Sequence, residues 1–362
     1  MDETQVMQRD EERGANSGFS TAEAGDSGPI QGFDKGTVSQ PSQALIERPP
    51  DGNLGPLKPL AEAAAGFMRQ AKAEATILAY GADWRDFSAW CGSRGLPCLP
   101  AAAETLTLYL AGAAETHKVS TLTRRLSAIS QAHQLAGFES PTRSPAVRVL
   151  MAGIRRAKGT APDAKAPALT DDVRRLVGLL PDGLLGCRDR ALLLVGFAGA
   201  FRRSELVGLN HADLEFNSRG LVVTLRRSKT DQEGQGRKIA LPYGSTFETC
   251  PVRSLQAWLE ESGISEGAIF RPITRHGKLE ASRLSGFAVS LVVKRYAAAA
   301  GLDISRYSGH SLRVGFATSA AIGGASERAI MNQTGHTSTR MVRRYIRDAN
   351  LFRDNAASKL GL

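Results

Sequence analysis

The sequence predicts a mainly α-helical protein of two folded domains with one small antiparallel β-sheet. Three observations carry that expectation. Apolar and aromatic residues recur at three- and four-residue steps along most of the chain from Leu60 onward. Strand-like runs of β-branched and apolar residues occur in one stretch, between Leu214 and Leu241. A polar segment with two prolines, residues 159–167, separates two helical regions, and 362 residues suffice for two domains.

The elements follow in order. Residues 1–60 are rich in Gly, Ser, Pro, Gln and acids and hold few large apolar groups, so they are expected to form a disordered acidic tail. They contain ten acidic and five basic side chains, a charge of −5. The rest of the chain holds 41 basic against 26 acidic side chains, or +15, within a total of +10. A body that positive suits a nucleic-acid partner.

Residues 61–158 read as a unit of about four helices. The first carries Ile77, Tyr80, Trp84, Phe87 and Trp90 on one face, and the second carries Leu106, Tyr109 and Leu110. Ser120 is expected to cap the third, with Leu122, Leu126 and Ile129 inward and Arg124 and Arg125 on another face. The fourth carries Val147, Val149, Leu150 and Ile154, followed by Arg155, Arg156 and Lys158. The four arginines are either a solvated face or contacts to phosphate.

Residues 159–167 read as a linker. In residues 168–362, Thr170-Asp171-Asp172 starts a helix as cap and acidic first turn. Residues 187–200 form a buried apolar helix that ends at Phe201-Arg202-Arg203. Strands are expected at 214–216, 221–225 and 238–241, the last two joined by a polar, glycine-containing hairpin tip bearing Lys229. Beyond Pro251 the chain is helical again.

No apolar run approaches 18 residues, so no membrane span is expected and a cytoplasmic location is the default. The cysteines at 91, 98, 187 and 250 show no second ligand pair at zinc spacing; they are expected to be reduced thiols, with no metal and no other cofactor.

Several residues point to chemistry. Arg202 and Glu205 are three apart at a helix end, where a carboxylate can hold a guanidinium for bidentate capture of phosphate oxygens. His310 and Arg313, again three apart, share one helix face just after Gly309. His336 follows a Thr-Gly turn, and Tyr345 stands among Arg343, Arg344 and Arg347. Each histidine taken singly reads equally as a structural residue. The tyrosine is either a solvated aromatic beside a DNA phosphate or a nucleophile that attacks one. Together these groups compose a phosphodiester site without metal ligands.

The ordered series Arg202-x-x-Glu205, Lys229 in a hairpin, His310-x-x-Arg313, Gly335-His336 and Tyr345 resembles the tyrosine recombinase (phage integrase) family. Ser308-Gly-His-Ser-Leu-Arg-Val-Gly and Tyr345-Ile-Arg look closest to its Cre subgroup, although that subgroup's namesake has tryptophan where His336 stands. The resemblance covers roughly residues 65–362 and implies a helical, SAM-like core-binding domain followed by a catalytic domain. It implies that Tyr345 attacks the scissile phosphate to form a 3′-phosphotyrosyl link and release a 5′-hydroxyl. It further implies that Arg202 and Arg313 clamp the non-bridging oxygens and that Lys229 protonates the leaving oxygen. By the same resemblance His310 assists as general base or hydrogen-bond partner, His336 adds a hydrogen bond, and Glu205 orients its neighbours.

The implied partner is double-stranded DNA with inverted-repeat sites. A C-terminal helix bearing Leu351, Phe352 and Leu360 is implied to exchange between four subunits. Arg203 reads as a DNA-backbone contact or a solvated charge. A type IB topoisomerase would share the site logic, but the compact helical first domain and the exchangeable tail argue against it. A catalytically silent DNA-binding regulator would not need every chemical position filled.

Overall fold

The structure, a computed structural model, describes residues 60, 63, 66–67, 72–161, 165–226, 236–349 and 355–360. The acidic tail expected over 1–60 therefore lies almost entirely outside the described residues, as do Lys229 and most of the apolar C-terminal tail. The chain divides into two compact units, Met1–Arg155 and Arg156–Leu362.

The first unit is built from α1 (Glu74–Gly92), α2 (Ala103–Thr116), α3 (Val119–Leu135) and the start of α4 (Pro145–Lys158). Trp84, Phe87, Leu106, Tyr109, Leu110, Leu122, Ile129 and Met151 form its core. Edge-on aromatic contacts, Phe87 to Tyr109 at 5.0 Å and Trp90 to Tyr109 at 5.4 Å between ring centres, tie α1 to α2. Buried His133 accepts from the Ala101 amide at Nε2, which leaves Nδ1 to donate to the Ile129 carbonyl and fastens the approach to α2 onto α3.

Three details differ from the sequence expectation. Helix α3 starts at Val119, one residue before Ser120, and no side chain caps it. Val149 is 71% exposed, because the inward stripe of α4 runs through Val147, Met151 and Ile154 instead. Arg125 is buried within the unit rather than carried on an outer face with Arg124.

The second unit contains α5 (Thr170–Gly178), α6 (Leu184–Ala198), the short α7 (Arg203–Gly208), β1 (Leu214–Asn217), β2 (Gly220–Leu225) and β3 (Arg237–Pro242). These are followed by α8 (Pro251–Ser262), α9 (Gly286–Ala299), α10 (Gly309–Ile322), α11 (Glu327–Thr334) and α12 (Thr339–Ala349). Helix α6 is apolar on nearly every side and forms the centre of the core with Leu206, Leu255, Trp258 and Phe270. The strands form one antiparallel sheet in the order β1-β2-β3, with Phe216 opposite Leu221 and Leu225 opposite Arg237. Inside α6, Asp189 accepts from Arg188 through Oδ1 and from the Tyr296 hydroxyl through Oδ2, so this buried pair is fully partnered.

Helix α5 begins at Thr170 with Leu169 in the cap position; Asp172, one of the two acids of its first turn, accepts the Leu169 amide. The described end of the expected linker is bound rather than free. The amides of Ala166 and Ala168 donate to the carbonyls of Arg306 and Ser311, and the Lys165 amine reaches the Ser305 carbonyl. Gly315 permits that approach, because a Cβ there would stand 1.8 Å from the Ala168 carbonyl oxygen. This strip anchors the start of α10. Among the described residues no helix is long and apolar enough to cross a membrane.

Candidate active site

Arg202 sits at the turn between α6 and α7. That turn is bent by Ala200, which adopts a left-handed backbone (φ 49°); for a residue with a Cβ this costs on the order of 1 kcal/mol. The bend aims the Ala200 carbonyl at Arg313, whose Nη1 donates to it at 2.7 Å. Buried Glu205 then brackets Arg202, taking its backbone amide at Oε2 (2.9 Å) and its Nη1 at Oε1 (2.6 Å). The charge-assisted bonds leave the guanidinium in one orientation.

Helix α10 starts where the glycine suggests, with the Ser308 hydroxyl accepting the His310 amide. His310 and Arg313 lie one turn apart. Arg313 is 2% exposed, and burial followed by the charge of Arg202 pushes its pKa down to about 10, so it stays cationic at neutral pH. His310 is exposed at its rim. Desolvation, then the charges of Arg313, Arg203 and Arg202, hold its pKa below the ordinary histidine range. With the rim open to solvent, the guanidiniums are the part of that effect which a bound anion would reverse.

His336 is delivered by the left-handed Gly335 (φ 65°) that ends α11. Arg313 Nη2 donates to its Nε2 at 3.4 Å, so Nδ1 carries the proton and donates to Thr334 Oγ1 at 2.7 Å. Thr334 passes the chain to the Ile330 carbonyl at 2.7 Å. Burial, then the charges of Arg313 and Arg202, push the His336 pKa down to about 4 and keep the imidazole neutral.

Tyr345 lies on α12, 7% exposed, in an apolar cluster with Ala317, Ala321, Ile330 and Val342 that packs α12 on α10 and α11. Its ring centre is 6.2 Å from that of His336. The structure thus gathers Arg202, Glu205, His310, Arg313, His336 and Tyr345 into one site. Lys229 lies outside the described residues, in sequence between the end of β2 at Leu225 and the start of β3 at Arg237.

One residue of this cluster has no sequence signal. Arg237 opens β3, and its Nη1 donates to the Asn332 and Gln333 carbonyls at the end of α11 while its Nη2 stands 3.9 Å from Glu205. In sequence it is a basic residue beginning a strand after a polar hairpin, where cations are usually solvated. Its partners come from α7 and the end of α11, both distant in sequence.

The five arginines read from the sequence as DNA contacts or solvated charges separate clearly. Arg155 and Arg156 are exposed on α4. Arg124 is half-exposed and held by Asp83 through two bonds of 2.8 and 2.9 Å. Arg125 is corrected to a core residue, paired with Asp86 at 2.7 Å and donating to the Tyr109 hydroxyl. Arg203 is exposed, lies along Gly309 and donates to the Ser290 hydroxyl. Among the described residues, no three His, Cys, Asp or Glu side chains are grouped to hold a metal ion.

Residues 169–351 match the phage integrase family. A protein named integrase/recombinase xerD homolog, from Selenomonas ruminantium, is 45% identical over 297 residues, covering 81% of this chain and 87% of that protein. The Cre recombinase of Escherichia phage P1 is 26% identical over 301 residues, covering 77% and 86%. The XerD-like relationship is therefore nearer than the Cre relationship, which corrects the subgroup suggested by the short motifs around His310 and Tyr345. In fold, the chain resembles a λ integrase dimer bound to a core site (TM-score 0.54, 17% identity, covering 82% of this chain and 96% of that one). It also resembles XerH bound to its difH substrate before cleavage (TM-score 0.53, 13% identity, covering 89% and 95%). The chain belongs to the phage integrase family and is a site-specific recombinase of the tyrosine type.

Proposed function

We propose that the protein binds duplex DNA at inverted-repeat sites and exchanges strands through a covalent 3′-phosphotyrosyl intermediate. The observation that carries this reading is the charge of the site. Among the described residues, Arg202, Arg237 and Arg313 converge around a single carboxylate, Glu205, with Tyr345 beside His336. Such a site has a surplus of positive charge and fixed donors, which is what a phosphodiester requires as charge develops in transfer.

In the proposed step, Tyr345 Oη forms a bond to phosphorus as the bond from phosphorus to the 5′-oxygen breaks. The tyrosine's proton leaves towards the histidines, His310 being the one open to solvent. Arg202 and Arg313 hold the non-bridging oxygens. His336 is neutral in the free protein; the arriving phosphate charge offsets the guanidiniums, so Nε2 takes up a proton and donates to a non-bridging oxygen. Lys229 gives a proton to the leaving 5′-oxygen. The phosphotyrosyl bond keeps the energy of the diester, so reversal by a different 5′-hydroxyl needs no ATP. The XerH and λ integrase complexes support DNA as the partner, and the tail beyond α12 is assigned to subunit exchange in a tetramer.

The test is a nicked duplex carrying the inverted repeats that flank the gene. The natural protein becomes attached to this DNA on a denaturing gel, and Tyr345→Phe does not; attachment that survives Tyr345→Phe removes the tyrosine from the nucleophile role. Lys229→Ala cleaves poorly and recovers when the leaving 5′-oxygen is replaced by sulfur, which needs no acid. Without that recovery Lys229 is not the proton donor.

A further inference from the structure

We propose that Arg237 is a positioning residue for DNA cleavage: from the first position of β3 it clamps the end of α11 together with Glu205, and so fixes where His336 stands. The proposal rests on the strand-exchange reading of the site.

The geometry has three parts. First, Nη1 donates to the carbonyls of Asn332 (3.2 Å) and Gln333 (3.0 Å), in the last turn of α11. Carbonyls there lack intrahelical donors and form the negative end of the helix dipole, so a guanidinium is a fitted cap. Second, Nη2 faces Glu205 Oε2 at 3.9 Å, the same oxygen that takes the Arg202 amide. One side chain therefore links the carboxylate that orients Arg202 to the helix end that delivers His336. Third, the guanidinium lies directly against the Gly335 turn, where a Cβ would stand 2.6 Å from Arg237 Cζ. Gly335 serves two needs at once, its positive φ and this close approach.

An ordinary C-terminal cap sits at the surface. Arg237 does not: its side chain is 21% exposed, and its Nε and Nη2 find no hydrogen-bond partner among the described residues. Burial lowers its pKa, Glu205 opposes that shift, and Arg202 adds to it. Unpaired buried donors cost roughly 1–3 kcal/mol, as much as a surface cap contributes or more. Capping alone does not account for the placement, whereas positioning the site does. The His336 ring is already tied to α11 through Thr334 and Ile330, so moving the end of α11 moves the imidazole away from Arg313. A displacement of about 1 Å in such a group can lower a rate ~10²-fold. Lysine cannot replace the fork, because one ammonium does not span two helix carbonyls and Glu205.

The experiment is a double-mutant cycle on the same nicked duplex, with covalent attachment and DNA affinity measured separately. The natural protein is measured first; if it does not attach, the strand-exchange reading fails before any variant is considered. Arg237→Ala is expected to slow attachment roughly 10- to 100-fold while leaving DNA affinity little changed, with Arg237→Lys in between. In a His336→Ala background the further loss from Arg237→Ala is expected to shrink to about twofold or less, because the two act through one group. Attachment by Arg237→Ala at the natural rate overturns the proposal. So does an equal loss in both backgrounds, which would make Arg237 a structural residue independent of His336. If circular dichroism shows that Arg237→Ala does not fold, the same cycle with Arg237→Lys decides by the same criteria.

Discussion

Arg125 in the first unit and Arg313 in the second are both buried arginines on helices, yet their surroundings differ in sign. Arg125 and Arg124 face Asp83 and Asp86, two cations against two carboxylates. Arg313 is bonded to a carbonyl and an imidazole, and its neighbours Arg202 and Arg237 share the single carboxylate Glu205 among the described residues. Like charges in a low-dielectric site repel strongly, and the pKa of Arg313, lowered to about 10, records that repulsion after the effect of burial. Elsewhere in the second unit, buried Arg188 has a carboxylate of its own in Asp189. A neutral cluster holds helices together; a cluster left positive is shaped for an anion, and holding it positive subtracts from stability.

The largest effect that bears on this contrast comes from Arg313→Gln. The buried charge is gone, together with the bond that Nη1 donates to the Ala200 carbonyl. Attachment to the nicked duplex is expected to fall about 10²- to 10³-fold, the loss typical of one preorganised donor. The melting temperature is expected to hold or rise, since a buried cation with no carboxylate of its own has been removed. A clear drop in melting temperature would break the contrast.

Arg125→Met is the opposite case. It leaves the Tyr109 hydroxyl without its donor, Asp86 with the Tyr109 hydroxyl alone and Asp83 with Arg124 alone. Breaking a buried pair from one side typically costs about 3–5 kcal/mol, and because Asp86 is half-exposed we expect less, roughly 2–3 kcal/mol. Chemical denaturation followed by tryptophan fluorescence measures it, with Trp84 and Trp90 in the weakened unit. Unchanged stability would place Arg125 back among the candidate DNA-binding residues. The salt dependence of DNA binding sharpens the point. Arg155→Ala or Arg156→Ala is expected to lower the slope by about 0.9 if that arginine contacts a phosphate, whereas Arg125→Met is expected to leave it unaltered.

These residues also mark what was legible in the sequence. Arg202 with Glu205 and His310 with Arg313 were readable because their i, i+3 spacing is fixed by one turn of helix. The three strands were readable from their runs of β-branched and apolar residues, with boundaries within about two residues. The burial of Arg125 was not, because the inward side of α3 depends on two carboxylates brought by α1. Arg237 was hidden for the same reason: its partners are carbonyls nearly a hundred residues away. Short motifs also misplaced the subgroup, since residues that share a mechanism resemble each other across subgroups and identity over the whole chain does not.

The smallest effect expected is a pH dependence set by His336. Its charged neighbours are Arg313 from α10, Arg202 from the turn before α7 and Arg237 from β3, and His310 of α10 adds to them when protonated. In the unfolded chain its pKa is about 6.5; in the folded protein it falls to about 4. The unfolded state therefore binds the proton first as pH drops, and stability declines between these two values. The depressed pKa of His310 acts in the same direction. At about pH 5.5 the His336 contribution is a loss of ~1 kcal/mol relative to neutral pH. His336→Asn is expected to flatten that decline, read from melting temperatures across the range. DNA carrying the site is expected to oppose it, because a phosphate beside Arg313 and Arg202 supplies the negative charge that the cluster lacks and raises the pKa of His336. If DNA left the pH dependence of stability unchanged, the surplus charge of the cluster would not be matched to phosphate.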